Sequence, residues 1–400
     1  MTPLVLPHFT ATSCIGRGLR ATLQSLRAQR SGLAPCAFET VTLETYVGEV
    51  PGVDDVRLPA ALKRFDCRNN RLAQLGIAED GFIDAVAACA GRWGRRRVGL
   101  FLGTSTSGIL ETEIAYRRRD PQTGALPADF DYSGTHNTYS LAAFVREVLG
   151  LEGPSAVVSS ACSSSAKVFG SARRMIAAGL IDAAVVGGVD SLCLTTLYGF
   201  HSLQLVSRQP CKPFDVARDG ISIGEAAAFA IIERPPESLD SDAILLLGVG
   251  ESSDAYHMSS PHPEGRGARA AMLQALDGAG LSAKDIDYVN LHGTGTPSND
   301  SAESKAVATV FADLPHAVEA SSTKGATGHT LGAAGGLEAV ICSLSLRHGL
   351  LPGGAHTQQV DASLGFEYLC ANRQRPIARA LSNSFGFGGS NCALVLGRAQ

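Results

Sequence analysis

Short apolar runs alternate along this chain with segments whose apolar residues recur at helical spacing. The run Arg97–Gly103 (RVGLFLG) predicts a buried strand that empties into a Gly-Thr-Ser loop. Ala156–Cys162 (AVVSSAC) predicts a second strand, followed by a helix from Ser163 to about Ala178 with Gly179 as its stop. Asp182–Asp190 (DAAVVGGVD) predicts a third strand. Further on, DYVNLHG, AVEASS and CALVLG are strand candidates, with SAESKAVATVF and GAAGGLEAVICSLSLRHG as their helical partners. Strands alternating with helices predict buried sheets covered by helices, an α/β architecture. Each half runs strand, glycine-bearing loop, helix. The Pro, Ser and Asp cluster at Glu233–Asp242 therefore divides the chain into residues 1–237 and 238–400. Near the start, Pro3 and Pro7 flank a short apolar run and suit an edge strand, because proline cannot donate to a ladder.

Composition narrows the classes of function. A hydrophobic share of 45% and a charged share of 18% fit a well-buried globular chain, and 44 glycines imply many tight turns and close backbone approaches. The net charge of −4 gives no global attraction for nucleic acid or anionic lipid. None of the 10 cysteines forms a C-x-x-C pair, which favours reduced thiols in a cytoplasm over a disulfide scaffold. No apolar run reaches the ~18 residues needed to span a bilayer. The first residues lack the basic and apolar regions of a signal peptide.

Four segments carry candidate chemistry. In VSSACSSSAKVFG (Val158–Gly170), Cys162 stands among serines at a helix start. Unpaired N–H groups there draw a thiol toward thiolate, although a free cysteine is also a common packing residue. In NLHGTGTPSNDSAES (Asn290–Ser304), His292 ends a strand, Thr294 and Thr296 offer hydroxyls to an extended polar ligand, and Ser298–Asp300 are candidate helix caps. In SSTKGATGHTLGAAGGLEAV (Ser321–Val340), Lys324 precedes His329 in a loop of small residues, with Glu338 as a natural partner for a buried lysine. In NSFGFGGSNCALVLG (Asn383–Gly397), glycines flank Phe387 and let backbone N–H groups approach a ligand. A strand follows this loop where the dinucleotide fingerprint needs a helix, which argues against a cofactor-binding oxidoreductase.

Taken in order, SSACSSS, LHGTGTPSND, SSTKGATGHTLGAAGGLEA and NSFGFGGSN resemble the β-ketoacyl-acyl-carrier-protein synthases, the elongating condensing enzymes of the thiolase-like fold. The resemblance runs from about Cys14 to the end of the sequence and includes CKPFDVARDGISIGEAAAFAIIE and SSDAYHMSSPHPEG. It implies two similar halves in five layers, α-β-α-β-α. It also implies decarboxylative condensation of malonyl-acyl-carrier protein with an acyl group held on Cys162. The product would be 3-oxoacyl-acyl-carrier protein for fatty-acid biosynthesis.

By the same resemblance, Cys162, His292 and His329 form a Cys-His-His triad, supported by Lys324 and Glu338. Phe387 is the gate whose N–H completes an oxyanion hole with that of Cys162. Thr294 and Thr296 hold the phosphopantetheine arm, Asp300 and Glu303 are structural, and Phe200 lines the tunnel mouth. Substrates arrive on acyl carrier protein, no cofactor is permanently bound, and no catalytic metal is expected; His257 and His262 lack zinc spacing. Family members are usually dimers, so a homodimer, or a heterodimer with a related chain, is expected.

Some residues sharpen or disturb this picture. Thr106, in the segment that shapes the acyl pocket, replaces a usually apolar or glycine position and points to an altered acyl chain. An alternative is therefore a ketosynthase of a specialised polyketide or aryl-polyene pathway with a partner subunit. Lys63, Arg64 and Arg68 in LKRFDCRNNR are candidates for docking the acidic carrier protein, or else a solvated helix face. A degradative thiolase would use a second cysteine, for which Cys370 and Cys392 are the candidates, but the second histidine argues against it. An initiating synthase would pair Cys-His with Asn, and a non-enzymatic chain-length partner would lack the nucleophile.

Overall fold

The computed structural model describes residues 2–399. Its principal strands are β1 (Leu4–Leu6), β2 (Phe9–Ser13), β3 (Val98–Gly103), β4 (Ser155–Val158), β5 (Ala183–Asp190) and β6 (Ala226–Glu233) in the first half. The second half holds β7 (Ile244–Ser253), β8 (Tyr288–Asn290), β9 (Glu319–Ser321), β10 (Glu367–Tyr368), β11 (Arg379–Gly386) and β12 (Ser390–Arg398). They line up as β10-β9-β8-β11-β12-β7-β1-β6-β5-β3-β4, with β2 also paired to β6. Every residue of β3, β5 and β6 is buried, which accounts for their unbroken apolar runs in the sequence.

Helices α1 (Arg68–Ile77), α2 (Phe82–Trp93) and α3 (Tyr139–Leu149) cover the outside of the first half, where Leu72, Phe82, Val86 and Phe144 pack on Leu100 and Val185. Helix α4 (Ser164–Ala177) lies in the middle, and α5 (Arg266–Ala279) and α6 (Pro297–Val310) cover the outside of the second half through Met272, Ala275 and Val307. Helix α7 (Ala334–His348) joins α4 between the sheet halves, where Phe169 and Ile176 meet Leu337, Ile341 and Leu344. The result is five layers, α-β-α-β-α. Each fully buried side chain of this kind contributes roughly 1.5–3 kcal/mol. Helix α7 is buried on all sides from Ala334 to Leu346, as a helix between two sheet layers must be.

Two corrections follow. Strand β1 is central, not an edge: Val5 pairs with Glu233 of β6 on one side and Leu245 of β7 on the other. Pro3 and Pro7 fall outside this short strand, so no ladder donor is lost. Strand β4 stops at Val158, four residues before Cys162, and the chain then turns into α4.

Glycine permits the central contact. A Cβ on Gly335 would lie 2.6 Å from that of Ala166, and one on Gly103 only 2.3 Å from the Ser165 nitrogen. Their absence lets α7 press on α4 and α4 on β3, bringing both helix N-termini to one point.

Candidate active site

Cys162 sits in the turn before α4 and is 4% exposed. Its neighbour Ala161 has φ 51°, a left-handed backbone that costs a non-glycine residue on the order of 1 kcal/mol. The serines hold that turn: the Ser160 N–H donates to Ser164 Oγ at 2.9 Å, and Ser163 Oγ donates to the Ser160 carbonyl at 2.9 Å. Ser165 Oγ accepts the Gly336 N–H at 2.8 Å and fastens α7 to α4. Burial pushes the Cys162 thiol up to about 12, while the charge of Lys324 and the backbone N–H of Phe387 pull it back. The resting sulfur is a thiol facing the N–H groups of Phe387 and of Cys162 itself.

The histidines come from the other half. Strand β8 leads into the His292 loop, whose backbone is held from α6. The His292 and Gly293 N–H groups donate to Glu303 at 2.8 Å each, and those of Thr294 and Gly295 donate to Asp300 at 3.1 and 3.3 Å. Helix α6 begins with Pro297 at its first position and makes no side-chain cap bond, so the expected capping by Ser298–Asp300 is replaced. Proline's fixed φ suits that position, and the Asp300 carboxylate holds the loop instead.

Lys324 is 1% exposed. Its Nζ donates to the His292 carbonyl at 2.5 Å, ion-pairs with Glu338, and lies 3.5 Å from His292 Nδ1. An ammonium only donates, so this contact is compatible with a lone pair on Nδ1 and the proton on Nε2 of His292.

His329 Nε2 lies 3.0 Å from Cys162 Sγ. The His329 N–H donates to the Ser222 carbonyl at 2.7 Å, and its own carbonyl accepts the Gly224 N–H at 3.0 Å. The two imidazoles stand edge to face, with centroids 5.2 Å apart. Burial, then the charge of Lys324, holds both well below the usual histidine range, so both are neutral. Sγ and one nitrogen from each ring lie within 4.8 Å of one another. With its proton on Nε2, His292 is set up as a hydrogen-bond donor.

These groups open on a cavity of about 50 Å³, lined also by Thr294, Thr296 and Phe387. The two threonine hydroxyls bond to each other at 2.9 Å. Phe200, on the helix Leu194–Ser202, lies 5.3 Å from Phe387 between ring centroids and completes the wall with Leu205 and Ile221. Sequence reasoning missed Leu205 and Ile221, which carry no polar signal. It also missed Asp190, whose signal is an acid ending an otherwise apolar strand.

Two further candidates are engaged by buried carboxylates. Thr106 does not line this cavity; its hydroxyl donates to Asp190 at 2.8 Å. Arg68 is 2% exposed, so it offers nothing to a docking partner. Its guanidinium is bound to Glu225 at 2.7 and 3.0 Å and to Asp54 at 2.6 Å, because buried Glu225 needs a cation. Lys63 and Arg64 are exposed beside a separate polar pocket, and Arg64 pairs with Glu147.

Comparison with known proteins agrees with this geometry. Residues 87–238 match the β-ketoacyl synthase N-terminal domain and residues 244–358 the β-ketoacyl synthase C-terminal domain. The chain is 34% identical over 305 residues to nodulation protein E of Rhizobium meliloti, covering 75% of each. It is 32% identical over 309 residues to 3-oxoacyl-[acyl-carrier-protein] synthase 2 of Staphylococcus aureus, covering 75% of this chain and 76% of that one. Among solved structures, the ketosynthase ApeO in complex with its chain length factor ApeC, from Xenorhabdus doucetiae, superposes with a TM-score of 0.87. The two are 36% identical, with 100% of this chain and 98% of that one covered. With both domains matched and the fold reproduced along its whole length, the chain belongs to the β-ketoacyl synthases, condensing acyltransferases of the thiolase-like fold.

Proposed function

We propose that this chain joins an acyl group on Cys162 to malonyl-acyl-carrier protein and releases 3-oxoacyl-acyl-carrier protein. The observation that carries the reading is the convergence of Cys162, His329 at 3.0 Å and neutral His292 on one cavity. The acyl carbonyl moves from the carrier's sulfur to Sγ, and the Cys162 proton leaves with the carrier thiol. The N–H groups of Cys162 and Phe387 receive the tetrahedral oxyanion; each such donor contributes roughly 10²–10³ in rate. Malonyl thioester then loses its carboxylate as carbon dioxide, leaving an enolate whose oxygen faces the neutral histidines. The enolate carbon attacks the acyl carbon, the C–S bond to Cys162 breaks, and the released thiolate takes up a proton. In this reading Thr294 and Thr296 hold the pantetheine arm, Phe200 and Phe387 guard the mouth, and Lys63 and Arg64 receive the acidic carrier.

Incubation with acyl-carrier protein tests the reading by intact mass. One acyl adduct on Cys162, absent from Cys162→Ala, is expected. An unmodified protein under conditions that acylate another ketosynthase overturns it.

The name of the Staphylococcus relative favours a fatty-acid pathway. A second reading, a specialised polyketide or polyene pathway with a partner chain, is favoured by the full-length likeness to a ketosynthase solved with its chain length factor. Turnover of saturated and polyunsaturated acyl carriers, with and without a co-expressed ketosynthase-like chain, separates the two. Equal or better turnover of saturated chains by the protein alone removes the second.

A further inference from the structure

Asp190 ends β5, is 0% exposed, and plays no part in the steps above. Its carboxylate accepts from Thr104 Oγ1 at 2.6 Å, from the Ser105 N–H at 2.9 Å and from Ser105 Oγ at 2.6 Å. The Thr106 N–H and Oγ1 add donors at 2.9 and 2.8 Å, and the Gly332 N–H another at 2.5 Å. No lysine or arginine among the described residues bridges it, so its charge rests on these dipoles alone. An ion buried in this way is costly unless every lone pair is used, and here the donors saturate them.

All the donors but one belong to the loop after β3, in the first half. The exception, Gly332, belongs to the second half and follows His329 by three residues. Between them, Leu331 is held left-handed at φ 52°. A Cβ on Gly332 would lie 2.6 Å from Asp190 Oδ2 and 2.7 Å from the Ser105 nitrogen, so the backbone comes closer than a side chain allows. On its other side His329 is pinned by Ser222 and Gly224.

We propose that Asp190 is a positioning residue. By tying the Leu331–Ala333 turn to the Thr104–Thr106 loop, it sets the distance between His329 and Cys162. The proposal rests on His329 acting in the condensation. Without the tie the ring drifts, and a 1 Å error in such an arrangement costs about 10²-fold in rate.

The test uses a Cys162→Gln background to follow malonyl-acyl-carrier protein decarboxylation, with folding checked by circular dichroism. Asp190→Asn turns an amide toward the donors, and Gly332→Ala forces the turn off the carboxylate. Both are expected to lower kcat about 10²-fold with KM within about twofold, the signature of a lost transition-state contact. Thr106→Val, which spares the Gly332 bond, is expected to lower kcat less than about fivefold. Well-folded Asp190→Asn and Gly332→Ala proteins that keep kcat within about threefold overturn the proposal.

Alkylation of Cys162 by iodoacetamide, in chains that retain the thiol, gives an independent readout. Gly332→Ala is expected to slow it about fivefold through the lost His329 contact. A parent that does not decarboxylate removes the histidine reading, and the positioning of His329 then stands or falls on alkylation, where an unchanged rate overturns it.

Discussion

The turns that lead into the two central helices make an instructive pair. One runs through Cys162 into α4, the other from His329 into α7. Each contains a non-glycine residue in the left-handed region, Ala161 at φ 51° and Leu331 at φ 52°. The first is self-contained, with neighbouring serines supplying its hydrogen bonds. The second is anchored by a carboxylate from the opposite half. One backbone device thus delivers a sulfur in one half and an imidazole in the other, and only the turn beside the imidazole is anchored by a carboxylate across the halves.

Replacing Cys162 with Ala breaks the comparison most severely. Condensation is expected to fall at least roughly 10³-fold while the fold persists, as read by product formation and calorimetry. Next is Lys324→Met, which leaves the buried Glu338 without its partner and frees His292. Urea titration is expected to show a loss of about 3–5 kcal/mol. The double variant Lys324→Met/Glu338→Leu should regain most of that stability and none of the activity. Recovered activity would detach Lys324 from the orientation of His292.

A finer comparison sets Leu331→Gly against Ala161→Gly. Leu331 packs with Leu110, Leu197, Ile221 and Ile223, so its loss is expected to cost about 2–4 kcal/mol. Ala161→Gly removes one methyl and relieves the left-handed strain, so it should stay within about 1 kcal/mol of the parent. Equal losses would show that the two turns are not alike in backbone strain.

The smallest effect concerns Glu303. Burial raises its carboxyl from 4.5 to about 7, against the pull of the Gly293, Asn383 and His292 donors. Between those values the unfolded chain has lost the proton and the folded chain keeps it. Stability therefore falls as pH climbs through that window. Melting temperature against pH should show this slope in the parent and a flatter line in Glu303→Gln; identical slopes would assign the titration to another group.

Legibility followed the range of the forces involved. Strands β3 and β5, helices α4 and α7, and the positions of Cys162, His292, Lys324 and His329 were readable because short segments encode them. Arg68 was misread because its partner Glu225 is far away in sequence, and a basic run looks like surface until a buried carboxylate claims it. Thr106 read as a polar intruder because its hydroxyl's partner, Asp190, is likewise distant in sequence. Strand β1 looked like an edge because two prolines bracket it, and only the register shows that both lie outside the ladder.

That strand also sets a schedule for synthesis. Leu4–Leu6 cannot be enclosed until both β6 (Ala226–Glu233) and β7 (Ile244–Ser253) exist to flank it. At ribosomal speeds of about 5–20 residues per second, the wait is on the order of ten seconds or more. Throughout it an apolar strand stays unpaired, and pairing so distant in sequence is intrinsically slow to form. A growing chain of this protein therefore carries this apolar segment exposed, and its yield in a cell will depend on what shields Leu4, Val5 and Leu6 until the seam closes.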